Sequence, residues 1–317
     1  MRPHDDGKFM LITDHWEKFS MYNRTAQEAL TDLRRFADEN NLPRPLFDSR
    51  NRYRICVGVG SARRKGSPFK YLTQTLAGLV TRMRWQDGVY IHVFNVDDEP
   101  ELHTEVDEIR DLFPVTATKA RTNTKYERPL QEGLDFAEQL DLMYGWGCPY
   151  VIFLEDDALA QEEWVERVNL GIKQLEGKDW LAVRLYTARE YYPMQESPGI
   201  TDFDPGFNAV AVLFNRRFLA DLSGEHRAAV ERSFMTATEW YYVAKDIFLP
   251  VYARDDLDMP MKAFEPSIFQ HTGIFSSVRT RDTVRMEWYM QAMNWESEGR
   301  PIVFDPVWWM SKGDSEL

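Results

Sequence analysis

The chain has 317 residues, of which 44% are hydrophobic and 28% charged, so its composition excludes a disordered or fibrous protein and suits one large or two small domains. Its formal net charge of −13 argues against nucleic acid as the main partner, because phosphate backbones bind to basic faces. The charge is compatible with a nucleotide held through a metal ion. No apolar run approaches the roughly 18 residues that cross a bilayer.

Residues 1–6 show no signal-peptide pattern. The protein is therefore expected to be either cytosolic or the lumenal portion of an anchored chain, and a glycosylation sequon at Asn23 weakly favours the second interpretation. The two cysteines, Cys56 and Cys148, form no CxxC pair. We expect two buried free thiols rather than a disulfide.

Residues 1 to about 50 are predicted to be polar and helical, with apolar residues at helical spacing between Ala26 and Ala37. The run from Asn40 to Pro43 predicts the end of that helix. We interpret residues 1–50 as a lead-in or stem, and residues 51–317 as a single domain.

The first predicted strand, residues 54–61, leads into a glycine- and serine-containing turn that ends at Ser61. The basic residues Arg63, Arg64 and Lys65 follow, and then a helix over about residues 68–83. A strand, a basic loop and a helix in this order are typical of a phosphate-binding unit. Neither GxGxxG nor GxxxxGK[ST] is present, so a solvated basic loop remains an alternative.

A second apolar strand begins at residue 89 and ends in Asp97 and Asp98, and residues 111–118 suggest a third. Residues 131–144 have the 3.6-residue period of a helix. Strands that alternate with helices predict an α/β fold with a mostly parallel sheet and helices on both faces.

Residues 151–154 are four consecutive apolar residues, which predicts a strand covered on both faces. Glu155, Asp156 and Asp157 follow at once, at the carboxyl edge of the sheet, where ligands bind in open α/β folds. Their mutual repulsion favours a divalent metal ion. The alternative is an acidic turn that caps a helix predicted over residues 161–175.

The second half is less regular. Residues 180–186 and 209–214 are predicted strands, separated by a polar loop over residues 191–206. Residues 239–245 are predicted to form part of a helix, and residues 255–258 a turn. His271 follows a short apolar run, and by itself it is either a structural histidine or a metal ligand.

Two of these stretches together resemble a known family. The motif Glu155-Asp156-Asp157 after an apolar strand, and the later segment Pro-Ser-Ile-Phe-Gln-His-Thr-Gly around His271, are similar to the GT-A nucleotide-sugar glycosyltransferases. More narrowly, they resemble the group that includes N-acetylglucosaminyltransferase IV and the Golgi enzyme that adds N-acetylgalactosamine to GPI anchors. The resemblance covers residues 54–280 and implies a GT-A, Rossmann-like fold, with a donor half over about residues 51–160 and an acceptor half over 161–317.

The resemblance also implies roles for individual residues. Asp157 and His271 would bind Mn²⁺ or Mg²⁺, which stabilises the departing nucleotide diphosphate. Glu239, which precedes a tryptophan as an acid does in the N-acetylglucosaminyltransferase, would be the general base, with Asp246 as the reserve. The residues expected to contact the UDP-sugar donor are Ser61, Arg63, Arg64, Lys65, Asp97, Asp98, Glu155 and Asp156.

The same resemblance implies a Golgi lumenal enzyme that acts on a GPI-anchored glycan and is membrane-associated in its full-length form. The GPI enzyme carries a transmembrane hairpin within its transferase domain, whereas this chain has the polar segment 194–207 at that place. An N-acetylglucosaminyltransferase IV-like enzyme and a non-catalytic glycan-binding relative remain alternatives. A two-metal phosphoester hydrolase is disfavoured, since the six histidines include no HxH pair.

Overall fold

The computed structural model describes residues 23–47, 53–64, 69–84, 87–118, 128–186, 198–202, 209–236 and 243–271. The strands are β1 Ile55–Ser61, β2 Val89–Asn95, β3 Val115–Ala117, β4 Tyr150–Glu155, β5 Ala158–Ala160, β6 Ala182–Arg184, β7 Gly199–Thr201, β8 Ala211–Asn215, β9 Lys262–Glu265 and β10 Phe269–His271. The helices are α1 over residues 23–39, α2 Tyr71–Thr81, α3 Thr104–Ile109, α4 Arg128–Gly145, α5 Trp164–Gln174, α6 Leu219–Thr236 and α7 Lys245–Val251.

Eight strands form one mixed sheet in the order β3-β2-β1-β4-β8-β6-β9-β7. The neighbours β3, β2, β1 and β4 are parallel, as are β6 and β9, whereas β8 is antiparallel to both its neighbours and β7 is antiparallel to β9. This arrangement confirms the predicted α/β class with a mostly parallel sheet. The four apolar residues of β4 are buried, as the prediction of a strand covered on both faces requires.

Parallel strands that pair in register bring their carboxyl ends to one edge of the sheet. Gly60 of β1 is opposite Glu155 of β4, and Ser61 is opposite Asn95 of β2. The acids that follow β2 and β4 and the loop that follows β1 therefore meet at this edge.

Helix α1 packs on this sheet domain. Ala26 and Leu30 are buried in the main core, and Arg34 forms an ion pair with Asp111 at 2.8 Å. Residues 1–22 lie outside the described part of the chain, and the division into a lead-in and one domain stays a prediction. Within the described ranges, no helix is both long and apolar enough to cross a membrane.

The expectation of two free thiols was wrong. Cys56 of β1 and Cys148, which lies two residues before β4, form a disulfide with their Cα atoms 5.9 Å apart. The pairing of β1 with β4 brings them together, although 92 positions separate them in the chain.

The interpretation of the acidic triplet as a helix cap was also wrong. Residues 158–160 form β5 between the acids and α5, so α5 begins only at Trp164. The predicted polar loop over residues 191–206 contains strand β7, which pairs with β9. The other predicted strands and helices within the described residues are present with shifted ends. The helix predicted over residues 239–245 lies mostly outside the described residues.

Candidate active site

Two carboxylates and an imidazole converge beyond the end of β4. Ligand atoms of Glu155, Asp157 and His271 all lie within 4.8 Å of one another. Nε2 of His271 is 3.1 Å from Oδ2 of Asp157, and these two side chains are 3% and 2% exposed. The structure therefore brings together the two predicted metal ligands and adds Glu155 to them.

A short antiparallel ribbon produces this convergence. Strand β10 pairs with β5, so that His271 is opposite Ala158, the residue that follows Asp157. Phe269 at the other end of β10 is fully buried and anchors the ribbon. The ribbon carries His271 to an acid that lies 114 positions earlier in the chain.

The chemistry of this donor set suits a divalent cation. Carboxylate oxygens and a neutral imidazole together bind ions such as Mn²⁺. Although burial acts to raise it, the pKa of Asp157 is lowered by Arg64 and His271, which keeps the carboxylate ionised. The three residues therefore fit the metal that the resemblance implies.

Asp156 is not one of the three clustered ligands, and its hydrogen bonds reach other elements. Its Oδ2 accepts a hydrogen bond from Oγ of Ser61 at 2.7 Å, and its backbone carbonyl accepts one from Oγ1 of Thr75 at 2.7 Å. Burial raises the pKa of Asp156 above its ordinary value. Asp156 thus connects β4 to the end of β1 and to α2, and its predicted contact with the donor stays a prediction.

The loop after β1 supplies an internal cation. Arg64 is 9% exposed and donates to Oδ1 of Asp156 and to Oδ2 of Asp157, both at 2.6 Å, while it lies over the ring of Tyr71 at 4.5 Å. Burial opposes its charge, but the two aspartates raise the pKa of Arg64 above its ordinary value. This guanidinium therefore neutralises part of the acidic triplet.

Arg63 binds a different pair of acids. Its backbone N–H donates to Oδ2 of Asp97 at 2.7 Å, and its guanidinium donates to Glu99 at 2.7 Å. Asp97 is buried, whereas Asp98 is exposed. The predicted contacts of these residues with the UDP-sugar stay predictions. Lys65 lies outside the described residues.

Sequence reasoning missed Lys245. Its Nζ lies 2.8 Å from Oε1 of Glu155, and the two side chains are 16% and 25% exposed. Lys245 begins α7 and belongs to no motif, so no local signal marks it. The adjacent Asp246 is half-buried, and Glu239 lies outside the described residues; their predicted roles as base stay predictions.

Comparison with known families agrees with this geometry. Residues 55–198, a little under half of the chain, match the family model described as GPI-N-acetylgalactosamine transferase PGAP4. The matched region contains β1, the basic loop and the whole acidic triplet. The match confirms the resemblance found in the sequence and the class of enzyme, a glycosyltransferase. No curated protein matches the chain.

Several solved structures are weakly similar. TarS 1-349 of S. aureus is 13% identical, with 69% of this chain and 60% of that chain covered and a TM-score of 0.41. The mannosyltransferase PcManGT of Pyrobaculum calidifontis, solved with GDP-Man and Mn²⁺, is 17% identical, with 68% and 56% covered and a TM-score of 0.33.

A third similar structure is 4-diphosphocytidyl-2C-methyl-D-erythritol synthase of Anaerococcus prevotii, with 12% identity, 77% and 100% covered and a TM-score of 0.39. The chain spans less than two thirds of the length of TarS 1-349 and PcManGT. These likenesses are too weak to carry an argument about substrates.

Proposed function

We propose that this protein is a metal-dependent, inverting glycosyltransferase that moves N-acetylgalactosamine, or a related hexose, from a UDP-sugar to a mannose of a GPI-anchor glycan. The observation that carries the proposal is the convergence of Glu155, Asp157 and His271 at the carboxyl edge of the sheet, within 4.8 Å of one another. The family match over residues 55–198 supports the choice of donor and acceptor.

In this proposal Glu155, Asp157 and His271 hold Mn²⁺ or Mg²⁺, which when bound neutralises the charge on the departing UDP. The protein's own cations contribute at the same edge. Arg63, Arg64 and Lys65 follow β1 and are proposed to contact the diphosphate, and Arg63 and Arg64 are also paired with acids at this edge.

The remaining groups bind the nucleoside and activate the acceptor. Asp97 and Asp98 follow β2, which is next to β1 in the sheet, and are proposed to accept hydrogen bonds from the uracil or ribose. Inversion requires a base that takes the proton from the attacking hydroxyl. Glu239 is proposed for that role, with Asp246 at the start of α7 as the alternative.

The disulfide supports a lumenal location. Disulfides persist in oxidising compartments and are rare in the cytosol. The Cys56–Cys148 bond is therefore in keeping with a catalytic domain in the Golgi lumen, with membrane association belonging to the full-length protein. An N-acetylglucosaminyltransferase IV-like activity on N-glycans is the second candidate function, because that group shares the acidic triplet and the His271 segment.

Ligand-dependent stabilisation tests the donor site. Thermal unfolding is measured with UDP, GDP and CMP, each with Mn²⁺ and with a chelator, because a ligand of the native state raises stability as RT ln(1 + [L]/Kd). We expect stabilisation by UDP that requires Mn²⁺ and that Asp157→Asn abolishes. Asp141→Asn, an exposed acid of α4 that pairs with Arg227, is the matched control and retains it.

Turnover then separates the candidate functions. Transfer from UDP-N-acetylgalactosamine to a mannose-containing GPI glycan supports the proposal, and transfer from UDP-N-acetylglucosamine to an N-glycan supports the second candidate. A non-catalytic glycan-binding relative would show neither transfer nor hydrolysis of a UDP-sugar. The absence of stabilisation by every nucleotide would overturn the transferase proposal.

A further inference from the structure

Lys245 contacts the candidate metal cluster from an element outside the acidic and His271 segments. It comes from α7, and its Nζ lies 2.8 Å from Oε1 of Glu155 and 5.8 Å from the centre of the Phe153 ring. Its side chain is 16% exposed, which is low for a lysine. Although burial, the largest influence, disfavours the charged form, Glu155, Glu132 and Asp246 raise the pKa of Lys245 above its ordinary value.

Each carboxylate of the cluster already holds a protein cation. Lys245 pairs with Glu155, and Arg64 pairs with Asp157 at 2.6 Å. A divalent ion held by the same carboxylates would compete with both cations for them. The pair of Lys245 and Glu155 is 16% and 25% exposed, so solvent screens repulsion between the ammonium and such an ion only in part. Lys245 therefore has to leave Glu155, at least in part, when an ion binds.

A displaced ammonium in this place has the charges of Glu132 and Asp246 nearby and can also take a new anionic partner. The partner that arrives with a metal ion in the proposed reaction is the diphosphate of the nucleotide sugar. Lysine is suited to this exchange, because its ammonium is a compact charge on a flexible stem.

We propose that Lys245 is a further residue that binds the sugar-nucleotide donor. While the metal is absent, Lys245 neutralises Glu155. When a divalent ion binds Glu155, Lys245 binds the diphosphate of the donor instead. This inference rests on the proposed function, and it assigns to Lys245 opposite effects on two ligands. Lys245 weakens the binding of the metal alone, and it strengthens the binding of the nucleotide to the metal-loaded protein.

Two titrations of the whole chain test this pair of effects. Mn²⁺ binding is measured by electron paramagnetic resonance in the absence of nucleotide, and UDP binding by calorimetry at saturating Mn²⁺. For Lys245→Met we expect a Kd for Mn²⁺ about threefold or more lower, and a Kd for UDP about tenfold higher, the latter being the size of one lost charge-assisted contact. Lys245→Arg, which keeps the charge, is expected to bind Mn²⁺ like the wild type.

Lys262→Met is the matched control. Lys262 is 20% exposed and ion-paired with Asp202, and it lies in β9, three strands from β4. We expect unchanged Kd values for Mn²⁺ and UDP. A circular dichroism melt of each variant establishes that it is folded at the temperature of the titrations.

Glu155→Gln gives an independent test if Lys245→Met does not fold. This change releases Lys245 from its partner while it keeps the shape of the side chain at 155. We expect UDP to bind the metal-free variant more tightly than it binds the metal-free wild type. An equal or weaker affinity would overturn the proposal.

The outcomes are distinguishable from a failure of the proposed function. If the wild type binds neither Mn²⁺ nor UDP, both the proposed function and the role of Lys245 are wrong. If the wild type binds both, and Lys245→Met either changes neither Kd or weakens both, the proposed function stands. In that case Lys245 is only a structural partner of Glu155, and the inference is wrong.

Discussion

Oγ of Ser61 lies 2.7 Å from Oδ2 of Asp156 and 2.9 Å from Nε2 of His103. All three side chains are buried. The serine has one proton, which it donates to the carboxylate, so His103 must donate its Nε2–H to the serine oxygen. Burial lowers the pKa of His103, in keeping with this neutral imidazole. The network ties Asp156, directly after β4, to the last residue of β1 and to His103.

Ser61→Ala is expected to lower the free energy of unfolding by about 1–3 kcal/mol, because it leaves a buried carboxylate without one of its donors. Urea denaturation measures this change. Thr31→Ala is the control, since Thr31 is exposed and its hydroxyl donates to the carbonyl of Gln27 within α1. Equal effects of the two substitutions would show that the network adds no stability.

His271→Gln is expected to raise the Kd for Mn²⁺ by more than about tenfold. Loss of a residue that only hydrogen-bonds to a metal ligand already costs roughly that much, and His271 is proposed to bind the metal directly. His92→Gln is its control, because His92 is also buried but contacts Tyr90 and Thr116 in the sheet. Calorimetric titration with Mn²⁺ distinguishes the two. An unchanged Kd for His271→Gln would exclude His271 as a ligand.

Reduction of the Cys56–Cys148 bond is expected to lower the free energy of unfolding by about 2–5 kcal/mol, because it releases a closed loop in the unfolded chain. The measurement is urea denaturation with and without dithiothreitol. The variant Cys56→Ala/Cys148→Ala is expected to be insensitive to the reductant. Identical curves for the wild type under both conditions would contradict the prediction.

Glu105 is expected to make stability depend on pH. Its carboxylate accepts hydrogen bonds from the backbone and hydroxyl of Thr73, both at 3.1 Å. Burial, with a smaller contribution from Asp156, raises the pKa of Glu105 from 4.5 to about 7. Between these values the folded protein binds more protons than the unfolded chain, so stability falls as pH rises from about 4.5 to about 7.

The resulting decrease in the free energy of unfolding between these two pH values amounts to at most roughly 3 kcal/mol. Glu105→Gln is expected to remove this contribution to the fall of stability with pH. Urea denaturation at several pH values measures it. Glu108→Gln, on the exposed side of α3, is the control and retains the slope. The idea fails if Glu105→Gln leaves the slope between pH 4.5 and 7 unchanged.

The local pattern of the sequence determined the elements and the edge of the sheet on which the acids lie. Four apolar residues before Glu155 predicted a strand covered on both faces. The alternation of predicted strands with predicted helices along the chain predicted the α/β class. These signals are visible in one chain because burial imposes a local period on the residues. The resemblance then paired Asp157 with His271, which no local period connects.

Only the tertiary structure decided which groups neutralise the acids. Arg64 reaches Asp157 across 93 positions, Lys245 reaches Glu155 from α7, and Cys56 bonds to Cys148 across 92 positions. Such contacts depend on the order of the strands and on how α7 packs against the sheet. A charged side chain has the same local sequence signature whether it faces water or a buried acid, so the sequence alone left these pairings open.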